Sequence, residues 1–198
     1  MMNKSIKQFF LVLSLLFACN ANAVFLSLSP SSTFAETGDS VTLDLMIGGL
    51  GAGGPESVGD FDLDLHYDPG TISVDSFSLT SLLGDVFLGE ALDLSLGDDG
   101  FGTLSLSLVS FLFDFELDAL QPDSFSLAEI MFSVDALPLD SSTEVAIGPI
   151  FGLGNAFGDP LLIDGTSNAI IHNRSQISEP PMLWLMLPLV LILLRRVR

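Results

Sequence analysis

Phe61-Asp62-Leu63-Asp64-Leu65-His66-Tyr67 decides the fold. Apolar side chains at 61, 63, 65 and 67 alternate with polar ones, the period of a β-strand with one face on a core and the other in solvent. Val41-Thr42-Leu43-Asp44-Leu45-Met46-Ile47 repeats the pattern on its odd positions, and Thr103-Leu104-Ser105-Leu106-Ser107-Leu108 on its even ones. Ile130, Phe132 and Val134 continue it, as do Val145 and Ile147. Turn formers separate these runs: Gly48-Gly49, Gly51 to Pro55, Asp68-Pro69-Gly70, Asp98-Asp99-Gly100 and Gly158-Asp159-Pro160. Short half-buried strands without a clear amphipathic helix predict an all-β, antiparallel sandwich. Two stretches depart from the pattern. Phe111 to Leu120 reads either as a strand, through Phe111, Phe113 and Phe115, or as a helical turn closed by Leu117, Ala119 and Leu120. The apolar parity slips from Ile72 and Val74 to Phe77 and Leu79, which a β-bulge explains.

Charge is distributed very unevenly. All but Glu179 of the 25 acidic residues lie between Val24 and Ser178, where Arg174 is the single basic residue. Such a surface repels phosphate backbones and excludes nucleic acid as a partner. It suits a secreted, self-repelling domain, with divalent-cation binding as the second reading. With 48% hydrophobic residues the chain is too apolar for a disordered one.

The two ends read as targeting segments. Lys4 and Lys7 precede an apolar stretch from Phe9 to Ala18, and Ala21-Asn22-Ala23 is an A-x-A cleavage site, so residues 1–23 are expected to be a signal peptide. Cys19, the sole cysteine, offers a second reading: Leu16-Phe17-Ala18-Cys19 loosely matches a lipidation site, though Phe17 is bulky for it. Cleavage after Ala23 is favoured and leaves a domain with neither disulfide nor thiolate. Residues 173–181 read as a linker carrying a sorting motif, and 182–198 as a short transmembrane helix with a basic end. The apolar run Met182 to Leu194 makes roughly 20 Å of helix, short of the ~20 residues of a full span. Arg195, Arg196 and Arg198 mark its cytoplasmic side, and Trp184 sits at interface depth. A short anchor interrupted by Pro188 suits a segment meant to be removed.

The tail resembles a PEP-CTERM sorting signal: a Pro-Glu-Pro motif, an apolar helix and an Arg-rich end. Here the motif would be Ser178-Glu179-Pro180, with serine in place of the first proline. The resemblance implies processing by exosortase, transient anchoring in the inner membrane of a Gram-negative bacterium, and release to the cell surface or exopolysaccharide matrix. Residues 24–172 resemble a cohesin domain. The likeness rests on Leu26 to Pro30, Thr37 to Asp44, Gly48-Gly49-Leu50, Val58 to Pro69 with its Tyr67-Asp68-Pro69 step, and Ser126 to Val134. It implies a nine-stranded jelly-roll sandwich and a non-catalytic module, structural or adhesive. The alternative is a ligand-binding module, holding a dockerin-type partner, another exported protein, or polysaccharide with the help of calcium.

No catalytic set is expected. No G-x-S-x-G elbow is present to hold a triad, and a carboxylate pair such as Asp114 and Glu116 is commonplace in so acidic a chain. Asp60, Asp62 and Asp64 lie about 6.8 Å apart on one strand face and lack the glycine and glutamate of a calcium loop, with Leu65 and Thr71 in those places. They read as a solvated sheet face. Asp98, Asp99 and Asp159 lie in turns and are the weak calcium candidates, with turn-forming as their ordinary role.

Overall fold

Alternation at residues 41–47, 61–67 and 103–108 becomes three strands whose apolar members are buried almost completely. A computed structural model describes residues 23–51 and 57–173. Cys19, Ala21, Arg174, the Ser178-Glu179-Pro180 motif, Trp184, Arg195, Arg196 and Arg198 lie outside the described residues.

The elements in chain order are β1 (Ala23–Pro30), β2 (Ser40–Gly48), β3 (Asp60–His66), β4 (Ile72–Leu79), β5 (Ala91–Asp93), β6 (Gly97–Asp98), β7 (Thr103–Ser110), α1 (Asp114–Leu120), β8 (Ser124–Val134), β9 (Ser141–Gly154), β10 (Leu162–Ser167) and β11 (Ala169–Asn173). One sheet runs β10-β1-β2-β8-β4 and the other β11-β9-β3-β7-β5, with β6 also paired to β7. The described strands exceed the nine that the resemblance implies, in part because β5 and β6 are short pieces along one edge.

Leu43, Leu45 and Ile47 from the first sheet meet Phe61, Leu63 and Leu104 from the second in one apolar layer. Each such side chain contributes about 1.5–3 kcal/mol when withdrawn from water. The bulge inferred from sequence falls between Val74 and Ser76, where β4 shifts register on β8. Asp75 thereby turns outward, its carboxylate accepting from Ser133 Oγ at 2.6 Å.

Two features differ from the sequence expectation. The sandwich is not wholly antiparallel, since β10 runs parallel to β1 from Ala23↔Leu162 to Ser27↔Ser167. The connection explains it: β9 ends where β1 begins, and β10 sets out from there in the direction of β1. The ambiguous stretch divides. Asp114–Leu120 is helical, and Phe113 precedes it with its N–H donating to Glu116 Oε2 at 2.9 Å. Only Leu117 of α1 is buried, so the phenylalanines that alternate like a strand stand in solvent.

The strand directions define two poles. At the upper pole β1 and β3 begin and β9 ends; the loops 57–59, 80–90 and 155–161 and helix α1 crowd there. The lower pole holds the turn after β3 and Asn173, the end of β11. Ala23 and Asn173 therefore sit at opposite poles.

Candidate functional site: an acid-floored groove on the second sheet

The period of two that buries Phe61, Leu63 and Leu65 sends Asp60, Asp62, Asp64 and His66 to the outer face of the second sheet. β3 lies between β7 and β9, with Asp62 opposite Ser107 and Gly152, and Asp64 opposite Ser105. Three glycines of β9 make room for these side chains. A Cβ on Gly148 would collide with the His66 ring, one on Gly154 with the Asp60 carboxylate, and one on Gly152 would touch Asp60 and Asp62.

The expectation of a fully solvated acidic face holds for Asp62 and His66, whereas Asp60 and Asp64 are half-buried. The reason is the central place of β3, whose neighbours shield its side chains on both flanks. Burial pushes the Asp60 carboxyl above the usual carboxylate range, and the adjacent Asp62 adds to the shift. Ser105 Oγ donates to Asp64 Oδ1 at 2.6 Å and fixes that carboxylate.

Asp62, Asp64, Ser105 and Ser107 form the floor of a groove of about 400 Å³. Phe151 of β9 walls it on one side, with Leu94 and Leu96 from the β5–β6 segment on the other. These wall residues are unusually exposed for their size, Phe151 to 66% and Leu96 to 89%. The far wall is fastened to β7: Leu94 N donates to Ser107 O at 3.0 Å, and Ser107 N to Ser95 Oγ at 3.0 Å. Acidic floor and apolar walls make a surface that accepts a cationic or hydroxylated side chain flanked by apolar ones. The outward aim of the floor aspartates was legible in their alternation; the walls, brought from the β5–β6 segment and from β9, were not.

The carboxylates of Asp98 and Asp99 are occupied locally. Tyr67, 8% exposed, packs edge-on against Phe132 at 5.5 Å and donates its hydroxyl to Asp98 Oδ1 at 2.5 Å. Burial first, then this bond and the charges of Asp98 and Asp99, raise the phenol's pKa. Asp99 Oδ1 accepts from the N–H groups of Phe101 and Thr103, at 2.7 and 3.0 Å, which holds its carboxyl below the usual range. Asp159 lies in the loop at the upper pole, where its N–H donates to Asn155 Oδ1 at 3.0 Å. Asp98 and Asp99 are thus at the lower pole and Asp159 at the upper. Among the described residues no three His, Cys, Asp or Glu side chains converge to hold a metal. Asp114 and Glu116 sit on the exposed first turn of α1, and His172 lies in β11, its ring 5.9 Å from that of Phe34.

No family model matches the chain, and no curated protein matches it. Solved structures do. A type II cohesin from the cellulosome of Acetivibrio cellulolyticus aligns at TM-score 0.60 and 16% identity, covering 75% of this chain and 95% of that one. A non-cellulosomal cohesin from the hyperthermophilic archaeon Archaeoglobus fulgidus aligns at 0.57 and 17%, covering 78% and 94%. A type I cohesin–dockerin complex from Clostridium thermocellum supplies a chain aligned at 0.59 and 9%, covering 77% and 99%. At these identities the likeness is one of fold: the domain is a cohesin-like β-sandwich.

Proposed function

We propose that this chain is an exported, non-catalytic protein-binding module that holds its partner in the groove on the outer face of β9, β3 and β7. One observation carries the reading. Phe151, Leu94 and Leu96 stand in solvent along the two sides of an acidic floor in which Ser105 fixes Asp64 and Gly152 leaves room beside Asp62. A monomer gains nothing by exposing such walls. The cohesin-like fold agrees, since one similar structure is a cohesin–dockerin complex. A dockerin-type module on another exported protein is the partner class that this favours over exopolysaccharide.

Export rests on the sequence of the two ends. The signal peptide is removed after Ala23, and the tail is held in the inner membrane until an exosortase acts at Ser178-Glu179-Pro180. Arg195, Arg196 and Arg198 remain on the cytoplasmic side. The domain of residues 24–172 then reaches the cell surface or matrix.

Two experiments test the proposal. A photo-crosslinking amino acid at position 151 of the full chain, in its native host, is expected to yield a discrete partner. That product should disappear when Asp62→Lys and Asp64→Lys are added. Crosslinking that ignores the two lysines would show that the acidic floor takes no part in binding and overturn the groove reading. For export, intact mass of the protein from membrane and extracellular fractions should show a soluble species beginning at Val24 and ending near Ser178 to Pro180. A membrane-bound species still ending at Arg198 would overturn the sorting reading.

A further inference from the structure

The upper pole carries a second surface of different make. Phe87, Leu88, Phe113, Phe115 and Phe157 all stand in solvent there, Phe87 to 100%. Hydrogen bonds hold these residues in place. Phe87 N donates to Asp85 Oδ1 at 2.7 Å, Phe157 N to Asn155 Oδ1 at 2.9 Å, and Phe113 N to Glu116 Oε2 at 2.9 Å. The rings of Phe113 and Phe115 stack 5.8 Å apart at 8°.

The segments bearing them are tied to one another. Phe111 N donates to Glu90 O at 2.7 Å, which joins the start of the helical segment to the 80–90 loop. Buried Gln121 accepts from Val58 N at 2.8 Å and donates to Val58 O and Leu82 O, at 2.8 and 3.1 Å. Gly59 lies against the backbone of Asn155 and Ala156, so closely that a Cβ would meet Asn155 O at 2.5 Å. The segments that bear these exposed side chains are therefore braced to one another at one pole, and apolar side chains held out in solvent in this way mark an interaction surface.

Charge decides what fits it. Asp85, Glu90, Asp114, Glu116 and Asp118 are interleaved with the rings, and no Lys or Arg occurs among the described residues. A second copy would meet its own charge, and an anionic lipid surface would be repelled. An arginine or lysine among apolar side chains satisfies both components, through cation–π contact with the rings and attraction to the carboxylates. We propose that the upper pole is a docking surface for a protein segment of that chemistry. It is separate from the groove and lies at the pole opposite Asn173.

The test is a fluorescence-anisotropy titration of the full chain with a short synthetic amphipathic helix of leucine and arginine. A leucine–glutamate counterpart and phosphatidylcholine vesicles serve as the other probes. The leucine–arginine helix is expected to bind, and the pair Phe113→Ser with Phe115→Ser to weaken it by about tenfold or more. Phe87→Ser, in a loop where the ring touches only solvent, should weaken it in the same direction without risk to α1. Phe151→Ser should leave the affinity within about twofold, because the groove is a different surface. Unchanged affinity in the pole variants would reduce the effect to bulk charge and overturn the proposal. Vesicle binding lost in the same variants would assign the pole to a lipid surface instead, and would overturn it too.

Discussion

Asp60 holds an outward-facing carboxylate in a place that favours its neutral form. Its folded-state pKa lies above the ordinary value near 4, through burial and the neighbouring Asp62. The stabilisation this gives is full below the unfolded value and is lost as pH rises through the folded one. Asp60→Asn is therefore expected to raise the melting temperature at pH 7, with the gain shrinking to nothing in melts below pH ~3. Gly59 makes the opposite kind of demand. A Cβ there would meet Asn155 O at 2.5 Å and Ala156 Cα at 2.8 Å, and backbone atoms cannot swing aside. Gly59→Ala should cost about 1–3 kcal/mol in urea unfolding. The alternation that aims Asp60, Asp62 and Asp64 outward is plain in the residues themselves. The half-burial of Asp60 and Asp64 is not, because it depends on which strands flank β3, a matter of contacts far apart in sequence.

At the scale of elements, legibility followed period. Strands with one buried face declared themselves, and the slipped parity before Phe77 located the β4 bulge. β10 gave no such signal, since all six of its residues are exposed and no period-two pattern develops. Its parallel pairing with β1 follows from where β9 delivers the chain. Helix α1 was half-legible: it offers a single buried residue, Leu117, too little to show a helical stripe. What anchors it is a polar residue just beyond its end. Gln121→Ala would leave the buried amide and carbonyl of Val58 without their partner, at a cost of about 2 kcal/mol. Amide exchange should accelerate at Val58 and through the 80–90 loop while β2 and β8 stay protected.

For the whole molecule, net charge dominates. The 24 acidic residues between Val24 and Ser178 face one arginine, so self-repulsion works against the compact state. Raising sodium chloride from a few millimolar to physiological strength should raise the melting temperature, and potassium chloride should do so equally. Calcium and magnesium are expected to act alike at equal ionic strength, because no carboxylate set converges among the described residues. A shift produced by millimolar calcium but not magnesium would return Asp98, Asp99 or Asp159 to attention as ligands.

The place of Asn173 at the end of an edge strand has a mechanical side. Asn173 closes β11, which hangs on the edge of the second sheet through its ladder with β9, and β9 is also the strand that carries Phe151. A load applied at Asn173 draws β11 along its own axis, away from the upper pole, so the five residue pairs of that ladder are loaded together in shear rather than unzipped singly. Such a load reaches β9 within the second sheet and also the β1–β2 connection of the first, because His172 N donates to Thr33 O at 2.9 Å and Ala35 N to His172 O at 3.0 Å.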